Sequence, residues 1–128
     1  MSGERDLRKR TKDFALRVIR LYGSLPNTTE AQVMGKQVLR SGTSVGAHAS
    51  RREATRARSP AEFISKMEGG LQELEETSYW FELLVESGIV TEARLADLRK
   101  EAEELTAIFV SSIKTAKSNR RTQSAKRK

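Results

Sequence analysis

The sequence predicts an all-α protein, an antiparallel up-and-down four-helix bundle. Three observations carry this. Four stretches place apolar residues three and four apart, the spacing of an amphipathic helix. Short breaks at Pro26, Pro60 and Gly88 separate them. Strand alternation and the Asn-Gly or Asp-Gly signals of hairpins are missing from the sequence. Short connections between amphipathic helices favour antiparallel neighbours.

The first helix is expected from Arg5 to Gly23, with Leu7, Phe14, Val18, Leu21 and Tyr22 on one stripe. Leu25-Pro26-Asn27 ends it, because proline biases its predecessor away from helix. Asn27 is a candidate cap for the next helix, with Glu30 three residues on. The second helix starts near Thr28 and extends toward Arg58, with Val33, Met34, Val38 and Val45 as its stripe. Its middle, Ser41-Gly42-Thr43-Ser44-Val45-Gly46-Ala47, is rich in small residues. Each glycine costs about 1 kcal/mol against alanine in a helix interior. Such a run fits close helix–helix approach or a bend, and a loop is the competing assignment.

Ser59-Pro60-Ala61-Glu62 opens the third helix with a cap serine, a first-turn proline and a capping-box glutamate. Phe63, Met67, Gly70, Leu74, Thr77, Phe81 and Leu84 then form a coiled-coil-like seam. Gly88 suits a left-handed C-cap. The fourth helix starts at Thr91, where Val90 and Leu95 form a hydrophobic staple. Leu95, Leu98, Ala102, Leu105, Phe109 and Ser112 continue the pattern. Beyond Lys117 no apolar residue exceeds alanine in size. The expected organisation is one bundle over residues 1–117 and a disordered basic tail over 118–128.

The chain has 128 residues, a single histidine and no cysteine. That excludes disulfides, thiol catalysis and thiolate metal sites, and disfavours a histidine-rich zinc site or a serine triad. No apolar run reaches the roughly 18–20 residues of a membrane span. The N-terminus MSGERDLRKR lacks a signal-peptide core, so a soluble cytoplasmic protein is expected. The net charge of +7 is unevenly spread: +8 over residues 1–60, −8 over 61–104 and +7 over 105–128. This layout fits a polyanion partner, complementary faces between copies, or simply a solvated surface.

Candidate chemistry is sparse. Glu68, Glu73, Glu75, Glu76, Glu82 and Glu86 lie off the third-helix seam and lack the Glu-x-x-His motifs of a di-iron bundle. They read as a solvated acidic face. His48 has no catalytic partner spacing and reads as a surface or subunit-contact side chain. Tyr79 and Trp80 suit either a subunit interface or a cover over the core. No catalytic residue, metal or cofactor is expected. Arg51, Arg52, Arg56 and Arg58 are the sharper cluster, since arginine grips phosphate oxygens in a fork and each contact releases counterions. Lys114, Lys117, Arg120 and Arg121, with Lys126, Arg127 and Lys128, add contacts of little sequence selectivity. The competing reading of the arginine cluster is a solvated or intersubunit ion-pair face. Sets of stacking aromatics are missing, so binding of RNA or DNA would be directed at the backbone.

Three stretches are distinctive: Gln37-Val38-Leu39-Arg40-Ser41-Gly42-Thr43-Ser44-Val45-Gly46-Ala47, Arg56-Ala57-Arg58-Ser59 with Glu62-Phe63-Ile64-Ser65-Lys66, and Leu71-Gln72-Glu73-Leu74-Glu75-Glu76-Thr77. With Thr11-Lys12-Asp13-Phe14-Ala15 and Glu82-Leu83-Leu84, they resemble the bacterial four-helix-bundle family that includes proteins encoded by intervening sequences inside 23S ribosomal RNA genes. The likeness runs over roughly residues 7–115. It implies an up-down bundle, commonly a homopentamer, with no established catalytic activity. It also implies kinship with basic accessory proteins that bind a reverse transcriptase and nucleic acid. The link His48–Arg52 is about two residues longer than the family pattern, enough to turn a helix by about 200°. The expected role is a non-enzymatic oligomeric bundle that binds nucleic-acid phosphates or scaffolds a nucleic-acid enzyme. The alternative is a purely structural, protein-interaction module.

Overall fold

The computed structural model describes residues 3–48 and 59–127. Among them are four helices and no strand: α1 (Gly3–Gly23), α2 (Thr29–Gly46), α3 (Pro60–Glu86) and α4 (Glu92–Arg127). Successive helices run antiparallel. Gly46 on α2 faces Thr11 on α1, whereas Gly35 faces Tyr22 and Leu25. Lys117 near the end of α4 reaches Glu68 near the start of α3. The bundle is closed on three sides, and α1 meets α4 far more sparsely than the other neighbours meet.

Local sequence accounts for the ends. The Thr28 hydroxyl accepts from the Ala31 N–H, so Thr28 and not Asn27 caps α2. The Ser59 hydroxyl accepts from the Glu62 N–H, with Pro60 in the first turn of α3. Gly88 adopts φ 81°, the left-handed cap that only glycine takes without strain. Thr91 accepts from the Arg94 N–H at the head of α4. Val90 and Leu95 are both buried, as a staple requires.

The core is one cluster built on Phe14, Phe81 and Phe109 with the aliphatic seam around them. Phe14 and Phe81 meet edge to face at 6.4 Å, tying α1 to α3 across the bundle. On α2 the buried face is Ala31, Gly35, Val38, Ser41, Gly42 and Val45, not the stripe expected from Val33 and Met34. Val33 is 56% exposed. The reason is proximity: the glycines of α2 press on Val18, Leu25, Tyr22 and Thr11, and a larger residue on that face has no room. The small-residue run is therefore helix at close approach, not a loop. On α3 Ile64 is more deeply buried than Phe63, and on α4 Ile113 takes the place expected of Ser112.

One end differs from expectation, and one is only partly in view. The second helix runs to Gly46 and widens into a π turn at Ala47 and His48; the rest of its expected course toward Arg58 lies outside the described residues. A π turn accommodates an extra residue within a helix. At the other end α4 does not fray at Lys117 but remains helical to Arg127. Residues 118–127 contain neither glycine nor proline, and arginine, glutamine, lysine and alanine are good helix formers. At 1.5 Å per residue α4 is about 54 Å long, against about 40 Å for α3 and about 31 Å for α1. Since α3 and α4 are joined by a tight turn, α4 extends past the start of α3 at its far end.

Candidate nucleic-acid interface

All four α4 cations expected at the interface, Lys114, Lys117, Arg120 and Arg121, are exposed. At about 100° per residue they fall within an arc of about 120°, so the helix presents them together. They occupy the part of α4 that passes the starts of α3 and α1. Lys117 donates to Glu68 Oε2 at 3.1 Å, with both side chains about half exposed. Among the described residues Lys114, Arg120 and Arg121 have no ion-pair partner. Arg51, Arg52, Arg56 and Arg58 lie outside the described residues. Their flanks do not: His48 closes α2 and Ser59 caps α3 at the same end of the bundle where α1 begins and α4 projects.

The acidic side chains of α3 are not a uniform solvated face. Arg40 on α2 donates to both carboxylate oxygens of Glu73 at 3.4 Å and also to Glu76. The hydrogen bond from Arg40 holds the Glu76 carboxyl below its ordinary range. The Trp80 indole N–H adds to this although it falls short of hydrogen-bond geometry, and its Nε1 is otherwise buried without a partner. His48 Nε2 lies 3.9 Å from Glu73 Oε2, an acidic neighbour rather than a catalytic pair. Trp80 packs against the core, whereas Tyr79 is 54% exposed. Tyr79 lines a cleft between α3 and α4 with Glu75, Glu82 and Glu103.

Cross-helix ion pairs are not legible from helix spacing. Arg10 on α1 binds Glu101 and Glu104 on α4, and these contacts raise the Arg10 pKa, Glu101 first. Nor is a second basic site, in which Arg17 and Arg20 of α1 meet Arg94 of α4 over a cleft. Only the three-residue spacing of Arg17 and Arg20 hints at it. Among the described residues no three histidine, aspartate or glutamate side chains gather as a metal site, and no helix is long and apolar enough to cross a membrane.

The family described as 23S rRNA-intervening sequence protein matches residues 4–111. Lys114, Lys117, Arg120 and Arg121 lie beyond that match. No curated protein matches the chain. A solved structure of a protein of unknown function from the S23 ribosomal protein family of Bacteroides thetaiotaomicron VPI-5482 is similar, with a TM-score of 0.81 and 37% identity. The alignment covers 88% of this chain and 99% of that one. The four helices, their order and the extent of these matches agree: the chain belongs to the 23S rRNA-intervening sequence protein family.

Proposed function

We propose that the protein is a non-enzymatic, homo-oligomeric bundle, pentameric as the family resemblance implies, that binds the phosphate backbone of RNA or DNA in the cytoplasm. In that role it scaffolds a nucleic-acid enzyme, such as a reverse transcriptase, or associates with the ribosome. The observation that carries the reading is the common exposed face of Lys114, Lys117, Arg120 and Arg121 on the C-terminal part of α4. Three of the four have no carboxylate to neutralise them among the described residues. Neighbouring cations along a helix meet successive phosphates, and each contact releases counterions. Nothing in this geometry reads base edges, so the binding is backbone-directed.

Filter-binding titrations against RNA and duplex DNA at rising salt test the reading. Four phosphate contacts correspond to a slope of about −3.6 in log K against log salt on duplex DNA. Replacing Lys114, Lys117, Arg120 and Arg121 together by glutamine is expected to flatten that slope toward zero and weaken binding to every sequence alike. No binding at low salt, or a quadruple variant that binds as tightly as the parent, removes the reading.

A second reading is favoured by one observation. Glu75, Glu82 and Glu103 surround the exposed Tyr79, an acidic aromatic cleft suited to a basic protein segment. Under that reading the basic α4 end of one copy pairs with the acidic face of another. Salt-induced dissociation in light scattering, without nucleic-acid binding at low salt, is its signature.

A further inference from the structure

We infer that the cleft where Arg17 and Arg20 of α1 face Arg94 of α4 is an anion site for a phosphate group, separate from the basic end of α4. The cleft has a volume of about 280 Å³. Its floor is apolar: Leu21, Leu95 and Leu98 are all buried. Its other lining residues are Arg17, Arg20 and Arg94, with one acidic residue, Asp97. Among the described residues none of the three arginines has an ion-pair partner, and Asp97 reaches none of them within pairing distance. Arg94 is held in place, because its Nη2 donates to Ser24 Oγ across the seam. A guanidinium carries five N–H donors, so most of its donors remain available.

The arrangement is of a kind that recognises tetrahedral oxyanions. Arginines three apart on a helix share a face, and a third from a facing helix completes a clamp. Arginine forks match phosphate oxygens two at a time. The apolar floor reduces competing hydration beneath the anion and strengthens its attraction to the rim. The location matters too. This is the sparsely packed side of the bundle, where α1 and α4 meet least. An anion gripped from both helices ties the seam shut, so it binds the folded bundle in preference to the unfolded chain. From Asp97 to Lys117 α4 rises about 30 Å, so the cleft and the basic C-terminal part of α4 are distinct sites on one rod.

The test is an amide NMR titration of the full chain with inorganic phosphate, ionic strength held constant with chloride. A second arm uses a short single-stranded RNA. The proteins are the parent, Arg17→Gln with Arg20→Gln, Asp97→Asn, and the quadruple glutamine variant of the α4 end. In the parent, saturable shifts are expected at residues 17–24 and 94–98. The Arg17/Arg20 variant loses at least tenfold in affinity, a loss of about 1.4 kcal/mol. Asp97→Asn, which only removes the opposing charge, tightens binding several-fold. The α4-end variant binds phosphate as the parent does, even where its RNA binding is gone, which separates this inference from the proposed function. Shifts with both ligands extend the site to backbone phosphates; shifts with inorganic phosphate alone assign it to a free anion. Unsaturable shifts spread over all basic residues, or an Arg17/Arg20 variant that titrates as the parent, overturn it.

Discussion

Arg10 on α1 holds Glu101 on α4 in a fork, Nε to Oε2 at 3.1 Å and Nη2 to Oε1 at 2.6 Å. The same Nη2 reaches Glu104 Oε1 at 3.1 Å. The side chains are 33% and 19% exposed, so the pair is only partly screened by water. Forked arginine–carboxylate contacts are stronger than single exposed pairs. Here the fork also spans the side of the bundle with the fewest other contacts. A double-mutant cycle of Arg10→Met and Glu101→Gln, read by urea unfolding, is expected to give a coupling of about 1 kcal/mol. A coupling near zero would show that the seam is closed by packing alone.

Ser41 and Thr77 are buried polar residues that meet at 2.7 Å between their hydroxyl oxygens, joining α2 to α3. Thr77 Oγ1 also donates to the Glu73 carbonyl at 2.7 Å, which leaves the Ser41 hydroxyl to donate to Thr77 Oγ1. Thr77→Val keeps the shape of the side chain but strands the Ser41 hydroxyl. A buried unsatisfied group costs about 1–3 kcal/mol. Ser41→Ala with Thr77→Val removes both polar partners and is expected to recover most of that loss. Thermal unfolding of the two proteins compares them; a double variant as unstable as Thr77→Val alone contradicts the account.

How much of the molecule is legible in the sequence depends on whether the cause is local. The caps at Ser59 and Thr91, the turn at Gly88 and the seam from Met67 to Leu84 follow from spacing and backbone chemistry, and all are present. Spacing misplaces Val33 because it gives a stripe but not which flank the neighbours press on. Gly35 and Gly42 set that flank, through contacts with residues on another helix. The end of α4 defies expectation because good helix propensity outweighs the lack of apolar residues there. The basic face of α4 is visible as composition, but its alignment depends on the helix continuing. The cleft of Arg17, Arg20 and Arg94 joins residues more than seventy positions apart, and the three-residue spacing of Arg17 and Arg20 is its one local trace.

Gly42 is where α2 comes close against α1. A Cβ there would lie 2.8 Å from Val18 Cγ2 and 2.9 Å from Cγ1. Val18 is fully buried and branched at Cβ, so it cannot swing aside. Gly42→Ala is expected to cost about 1–3 kcal/mol despite the better helix propensity of alanine. Gly23, at the end of α1, has nothing within 4 Å of a new Cβ and no positive φ, so Gly23→Ala is expected to be neutral or mildly stabilising. Denaturation midpoints of the two variants check the contrast, and a neutral Gly42→Ala would mean that the helices separate without cost.

Acid sensitivity is expected to centre on Arg40. Its hydrogen bond to Glu76 is the main reason that the Glu76 carboxyl titrates below its ordinary value of 4.5; burial opposes the effect and the Arg40 charge adds to it. Arg40 itself is pushed above its ordinary range by the same hydrogen bond and stays charged throughout. A carboxyl with a lower pKa in the folded state than in the unfolded one binds fewer protons when folded. Stability therefore rises with pH across that interval. The contribution of Glu76 is complete above pH 4.5 and is lost as the pH falls through its folded value. Urea unfolding at a series of pH values is expected to show the parent weakening below that point. Glu76→Gln should be less stable than the parent at neutral pH and show a shallower acid decline, with the two curves converging at low pH. Parallel curves would place the acid-sensitive contacts away from Arg40 and Glu76.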